Sequence, residues 1–278
     1  MRARTLGIAL VAAIGGTGIG GEAAAQDNAS YIKSFTGNIG IAVVTLPWYA
    51  GSNEYRVMTV PVIQVEFKDR LYLGGSSNGP GGGIGAHVVR SERFTLNVEL
   101  AAAPNRRESH GSKLTGMGNR KAASFAATSA SYKLGFLTAT SGVGFGLGED
   151  AGVYGTADLT ATKLFAGRWI GSVSTGATMA DQANMKYEFG INAEQAARRQ
   201  VLIDAGDPRL SLEDAGTFTP AGGVKQTRVS ASLGYVLAPR TTVLMFAQGT
   251  QLGREAAASP LTRERNAITT GLGLMYGF

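Results

Sequence analysis

Apolar and polar residues alternate along most of the chain. In the clearest run, Phe94, Leu96, Val98 and Leu100 fall on one face while Thr95, Asn97 and Glu99 fall on the other. The same period of two sets Ile39, Ile41 and Val43 against Asn38, Gly40 and Ala42, and Ile63, Val65 and Phe67 against Gln64, Glu66 and Lys68. It sets Val153, Ala157, Leu159 and Ala161 against Tyr154, Thr156, Asp158 and Thr160, and Val229, Ala231, Leu233 and Tyr235 against Arg228, Ser230, Ser232 and Gly234. A period of two sends successive side chains to opposite faces of a strand, so the chain reads as all-β. The runs are longer than the five or six residues of an ordinary strand, and their polar faces are mostly Gly, Ser, Thr and Asn. Strands that cross a bilayer at a tilt need about 9–11 residues, apolar toward lipid and small or polar toward a lumen. Hydrocarbon cannot satisfy an open sheet edge, so such a sheet closes. The predicted fold is a closed antiparallel transmembrane β-barrel.

Twelve strands are predicted, at roughly 37–46, 56–68, 71–89 with a glycine break, 93–103, 121–133, 136–147, 152–163, 168–180, 184–191, 220–237, 241–252 and 266–278. Ten is the alternative if 74–85 is a loop. An even count puts both chain ends on the periplasmic side. The turns at 68–71 and 238–240 are then short and periplasmic, and long external loops fall near 192–219 and 253–265. Within the former, Glu194 four residues before Arg198 in an Ala-rich stretch suggests a short helix. Pro104–Arg120 breaks the pattern, because this count places a long segment on the periplasmic side.

The C-terminus adds a specific signal. Ile268, Thr270, Leu272, Leu274, Tyr276 and Phe278 share one face of a strand that ends on the last residue, with Thr269, Gly271, Gly273 and Gly277 opposite. Leu272, Leu274, Tyr276 and Phe278 resemble the terminal signal by which the barrel-assembly machinery recognises outer-membrane barrels. At the other end, Arg2 and Arg4 precede the apolar stretch Leu6–Ile14, and Ala23-Ala24-Ala25 offers small residues before Gln26. That is the layout of a cleaved secretory signal peptide over 1–25. It leaves a short periplasmic segment at 26–36 and a barrel at 37–278.

Composition fits this picture. Glycine makes up 40 of 278 residues and charged residues only 17 %, where roughly 7 % and 25 % are usual. No apolar run beyond the N-terminus reaches the ~20 residues of a membrane-spanning helix. Without cysteine there is no disulfide framework. Without the signal peptide the chain has 24 basic and 19 acidic side chains. The basic residues are scattered among acids, as in Glu66-Phe67-Lys68-Asp69-Arg70, which reads as a solvated surface rather than a nucleic-acid site.

Several segments together resemble the MltA-interacting protein (MipA/OmpV) family of Gram-negative outer membranes. They are Leu46-Pro47-Trp48-Tyr49-Ala50-Gly51-Ser52-Asn53-Glu54-Tyr55-Arg56 with Val60-Pro61; Tyr187-Glu188-Phe189-Gly190-Ile191 with Gln195–Arg199 and Thr219-Pro220-Ala221-Gly222-Gly223; and Leu252-Gly253 with Ser259-Pro260-Leu261 and the terminal Tyr276-Gly277-Phe278. Their order and spacing carry the resemblance from about residue 37 to the end, while 104–180 matches only as alternation. The resemblance implies a non-enzymatic cell-envelope protein. The family's namesake is regarded as a scaffold between a lytic transglycosylase that degrades murein and a murein synthase. The family brings no catalytic residues, cofactor or metal to carry over.

Among the side chains, Glu66, Lys68, Asn97, Glu99, Asp158 and Arg228 are candidate lumen residues, lining a small aqueous path or pairing across the interior to plug it. Trp48, Tyr49, Tyr55, Trp169, Tyr276 and Phe278 are candidates for the aromatic girdle at the membrane boundary; ligand stacking is the alternative for Trp48 and Tyr49. The charged loop after Arg198 could meet lipopolysaccharide, although ordinary solvation accounts for it as well. Rival functions are a narrow channel for small solutes and an outer-membrane hydrolase. For the hydrolase, His110 with Ser112 is the one candidate; His87, on a strand face with Gly85 and Val89, reads as an ordinary lumen residue. The glycine run 79–85 lacks the Lys-Ser/Thr of a phosphate loop. Gly142, Gly144, Gly146 and Gly148 strip one face of a strand, leaving room in a narrow lumen.

Overall fold

A computed structural model describes residues 35–75, 82–148 and 151–278. The proposed signal peptide, most of the N-terminal segment and Glu149-Asp150 lie outside the described residues. Twelve antiparallel strands close into one barrel, each paired with its neighbours in sequence and β1 with β12. They are β1 (Phe35–Pro47), β2 (Tyr55–Phe67), β3 (Leu71–Gly75), β4 (Gly82–Arg90), β5 (Phe94–Ala103) and β6 (Ala123–Leu134), then β7 (Leu137–Gly146), β8 (Val153–Phe165), β9 (Trp169–Ala180), β10 (Gly223–Ala238), β11 (Thr241–Leu252) and β12 (Asn266–Gly277). At the seam Ile41 faces Leu274 and Val43 faces Leu272, and the backbone of Phe278 exchanges hydrogen bonds with Gly37.

The strand count agrees with the sequence reading only because two departures cancel. The expected strand at 71–89 is the β3–β4 hairpin, and the expected strand at 184–191 is mostly α1 (Gln182–Phe189). Helix wins there because Asp181 caps it by accepting from the Asn184 amide at 2.7 Å and because the segment is rich in helix formers. Met185 and Phe189, one turn apart, bury a common face. The extra crossing before β5 also carries Pro104–Arg120 to the end of the barrel that bears the 181–222 and 253–265 loops. All long connections thus share one end, hereafter the loop end, and five turns of two or three residues occupy the opposite turn end.

Outward positions carry the apolar face that the alternation marks. Ile41, Val43, Val98, Leu100, Leu159, Val229, Met245 and Leu272 are 45–59 % exposed, the surface that a hydrocarbon solvent requires. A bulge in β4 shifts the register between His87 and Val89, so Val89 leaves the face of Gly85 and His87 and stands exposed.

Inside, glycines admit rings. Gly85, Gly144 and Gly271 lie directly opposite Tyr72, Tyr154 and Phe246. A Cβ at each would fall within 2.4 Å of the facing ring. Gly144→Leu is therefore expected to destabilise the barrel by about 1–3 kcal/mol through overpacking, with most of the loss recovered by adding Tyr154→Ala. Urea unfolding of the refolded protein measures both, and a silent Gly144→Leu would contradict the packing.

Candidate functional site

The lumen has two unlike walls. On the inner side of β1, β2 and β11, Ala42, Val44, Val60, Val62 and Phe246 form a buried apolar cluster joined by Leu46, Met58 and Met275. The wall from β4 to β10 is polar away from the loop end, with cross-strand hydroxyl pairs Ser131–Thr140, Thr162–Ser172 and Ser174–Ser230 at 2.6–3.1 Å, and carries Phe125, Tyr154 and Ala180 toward the loop end.

Five of the six candidate lumen residues stand on inward positions and bond to neighbours. The Arg90 guanidinium donates to Glu66 at 2.8 Å, and His87 Nε2 lies 3.7 Å from the same carboxylate. Asn97 bonds His87 Nδ1 at 2.7 Å and donates to Ser129 Oγ at 3.2 Å. Glu99 accepts from the Tyr72 hydroxyl at 2.9 Å. Arg228 pairs with Asp158 and donates to Thr178 Oγ1 at 3.0 Å. Lys68 differs: it occupies the first turn with φ +50°, exposed and with its ammonium over the Phe67 ring. The alternation of β2 ends one residue earlier, at Phe67.

Of the candidate girdle aromatics, Tyr55 is exposed at the loop end, where its hydroxyl accepts from the Ile268 amide at 3.0 Å. Trp169, Tyr276 and Phe278 lie at the turn end, Trp169 with its ring 4.7 Å from that of Tyr235. Leu272 and Leu274 share the outward face with Tyr276 and Phe278. Trp48 and Tyr49 leave the girdle for the loop structure. Trp48 stacks on His110 at 5.1 Å beneath the Arg56 guanidinium. Tyr49 donates to the Leu261 carbonyl at 3.0 Å, and its burial pushes the phenol up to about 12. Nothing in the alternation of β1 reveals this, because both rings follow Pro47, where the strand ends.

They belong to a folded cap that the long loops build at the loop end. Its elements are α1, α2 (Ala193–Asp204), the short α3 (Arg254–Ala257) and single helical turns in 104–122 and 212–214. Asn192 and Gln195 form a reciprocal capping box on α2, and Arg198 reaches Glu194 at 2.6 Å, so the anticipated helix is present and longer than Ala193–Arg199. Leu114, Met117, Ile191, Ala196 and Leu261 come from three loops and make a core entirely outside the strands. A second cluster seats Met185, Phe189 and Ala256 on the wall residues Ala103, Phe125, Tyr154, Ala180 and Leu252.

Charge locks the cap from within. Arg199 is fully buried and donates to the carbonyls of Asp214 and Lys113 at 2.8 Å each; its guanidinium lies 3.3 Å from the Asp214 carboxylate, which also pairs with Lys113. Burial alone would raise the pKa of Asp214, but hydrogen bonds from Lys113 and Ser211 hold it below the usual carboxylate range. A lowered carboxyl pKa contributes stability that is complete above the unfolded value, near 3.9, and disappears as pH falls through the folded value. Opening of 181–222 is therefore expected only below about pH 4, read as backbone hydrogen exchange corrected for its intrinsic pH dependence while the barrel strands stay protected; the same opening at pH 6 would contradict the lock. Nearer the wall, Lys225 pairs with Glu188 at 2.6 Å. The cross-strand neighbours Arg106 and Arg120 donate to the carbonyls of Glu188 and Tyr187, where cations complement a helix C-terminus.

The hydrolase candidate does not assemble as a dyad. Ser112 Oγ donates to Glu54 at 2.6 Å, while His110 Nδ1 accepts from the Arg107 amide at 3.3 Å and its ring lies on Trp48. Among the described residues no group of three or more His, Asp or Glu is placed to hold a metal ion.

Fold and loops together define an outer-membrane-type β-barrel with a lipid-compatible outside, a half-polar lumen and a folded cap on its loop end. The chain belongs to the MltA-interacting protein MipA family, whose model matches residues 39–278. No curated protein matches it. Among solved structures it is similar to the NanC porin (8 % identity, TM-score 0.47, covering 85 % of this chain and 98 % of that one). Two others are a bacterial polysaccharide outer membrane secretin (8 %, 0.47, 87 % and 98 %) and outer-membrane expressed OmpT of Vibrio cholerae (9 %, 0.38, 88 % and 97 %).

Proposed function

We propose that the protein is exported by a cleaved signal peptide over 1–25, inserted into the outer membrane with its turn end in the periplasm, and acts there as a non-enzymatic interaction protein. The observation that carries this reading is the cap. A loop end with its own apolar core and a buried three-charge lock is built to stay shut, which moves the function from conduction to surfaces. The family name, MltA-interacting protein, supports a murein enzyme as partner. On this reading the chain links a lytic transglycosylase to a murein synthase. Crosslinking in intact envelopes followed by purification of the barrel is expected to capture a murein enzyme; repeated capture of none would contradict the scaffold.

A narrow solute channel is the second reading, favoured by the polar wall of β4–β10, where hydroxyl pairs and the Asp158–Arg228 pair flank the lumen.

A further inference from the structure

The charge of this barrel is unevenly placed. Each of the five short turns carries or adjoins an exposed cation: Lys68 and Arg70 at the first, Arg93 at the second, Lys133 at the third, Lys163 and Arg168 at the fourth, Arg240 at the fifth. Asp69 and Glu92 are the acids in those turns. None of these seven cations belongs to an ion pair among the described residues. The loop end is mixed by contrast, with Arg198 paired to Glu194 and Arg209 to Asp207.

The cations alternate with aromatic rings at the same level. Lys68 follows Phe67, Arg93 precedes Phe94, Lys133 follows Tyr132, and Lys163 and Arg168 flank Phe165 and precede Trp169. Phe94, Tyr132, Phe136, Phe165, Tyr276 and Phe278 are all more than a third exposed, the position of rings that mark a membrane boundary. Lys163 shares the outward face of β8 with Phe165 and reaches headgroup depth, and the turn cations Lys68, Arg70, Arg93, Arg168 and Arg240 lie at the same level. An open depression between the first turn and the end of β4 is lined by Lys68, Asp69, Arg70, His87 and Arg90, the last paired with Glu66.

We infer that the turn end is a docking surface for anionic phospholipid headgroups, which the ring of turn cations selects over zwitterionic ones. The cations take lipid rather than the murein enzyme proposed above, because they are spread round the whole rim and not gathered into the contiguous patch that a protein partner engages; that partner would use other residues of the turn end. Basic side chains at a membrane surface each favour anionic lipid by about 1 kcal/mol, roughly fivefold in affinity.

This inference rests on the membrane reading above, and its test separates the two. Delipidated protein in neutral detergent is titrated with phosphatidylglycerol or phosphatidylcholine, and bound lipid is counted by native mass spectrometry. The expected result is a fivefold or greater preference for phosphatidylglycerol, weakened by salt, abolished in the triple variant Arg93→Glu, Lys163→Glu, Arg168→Glu and kept in Arg93→Lys, Arg168→Lys. Heat-modifiable migration shows that each variant is folded. No preference in the wild type, or one untouched by the triple variant, overturns the inference. So does salt-sensitive binding to isolated murein sacculi that the triple variant loses while lipid shows no selectivity. Orientation is read independently with Ala166→Cys: labelling by an impermeant maleimide in intact cells would refute the periplasmic placement without touching the headgroup result.

Discussion

Arg199→Ala is expected to unfasten the cap while leaving the barrel closed. The guanidinium is fully buried, holds two carbonyls from different loops and faces Asp214. Its removal leaves those carbonyls unsatisfied and a buried Lys113–Asp214 pair short of a partner, and breaking a buried charge cluster on one side costs about 3–5 kcal/mol. The core of the cap is a handful of side chains, so a loss of that size is a large fraction of what holds the loops together. Trypsin should then cut at Arg198 and Arg209 in native protein and leave a barrel that still migrates as a folded species. Wild-type resistance in the variant would show that the lock does not hold the cap.

The second large effect concerns the face that meets lipid. Leu272 stands mid-strand on β12, 54 % exposed and pointing outward. Leu272→Arg places a guanidinium near the bilayer midplane, which costs about 2–4 kcal/mol in a transmembrane barrel. The inward neighbour Gly273 offers the contrast. Its Cβ position meets the Ala42 methyl at 3.2 Å, so Gly273→Ala requires a shift of a few tenths of an ångström and is expected to cost less than Leu272→Arg. Chemical unfolding from lipid vesicles orders the two; equal stabilities would mean that the alternation does not mark a lipid face.

The barrel was legible because a period of two over long runs is a local property of the sequence, as β12 illustrates from Ile268 to Phe278. The cap was not, since its stability comes from contacts such as Arg199 with Lys113 and Tyr49 with Leu261, which are remote in sequence. Only its local devices could be anticipated, namely the Glu194–Arg198 pair and the helix it supports. The segment 184–191 differs from the expected strand for a mixed reason, one signal local and one remote. Its chemistry turns on Asp181 at the cap position and on Lys225, a strand residue, reaching Asn184 and Glu188. Pro104–Arg120 was a useful anomaly: a long segment on the wrong side signalled a missed crossing, and the β3–β4 hairpin supplies it.

For the candidate lumen residues, alternation indicated which way a side chain points but not what it meets. Asp158 and Arg228 lie on non-adjacent strands, with β9 between them, and pair across Gly176. A Cβ at Gly176 would strike the Asp158 carboxylate. That glycine is the local trace of the pair, and it becomes readable only once the register is known.

Current across a planar bilayer tests the central claim most directly. With the loop end shut by the cap, purified full-length protein is expected to give no steady current above background at neutral pH, and Arg199→Ala is expected to give openings. A stable ohmic current of the same size from both proteins would contradict a barrel closed by its own loops.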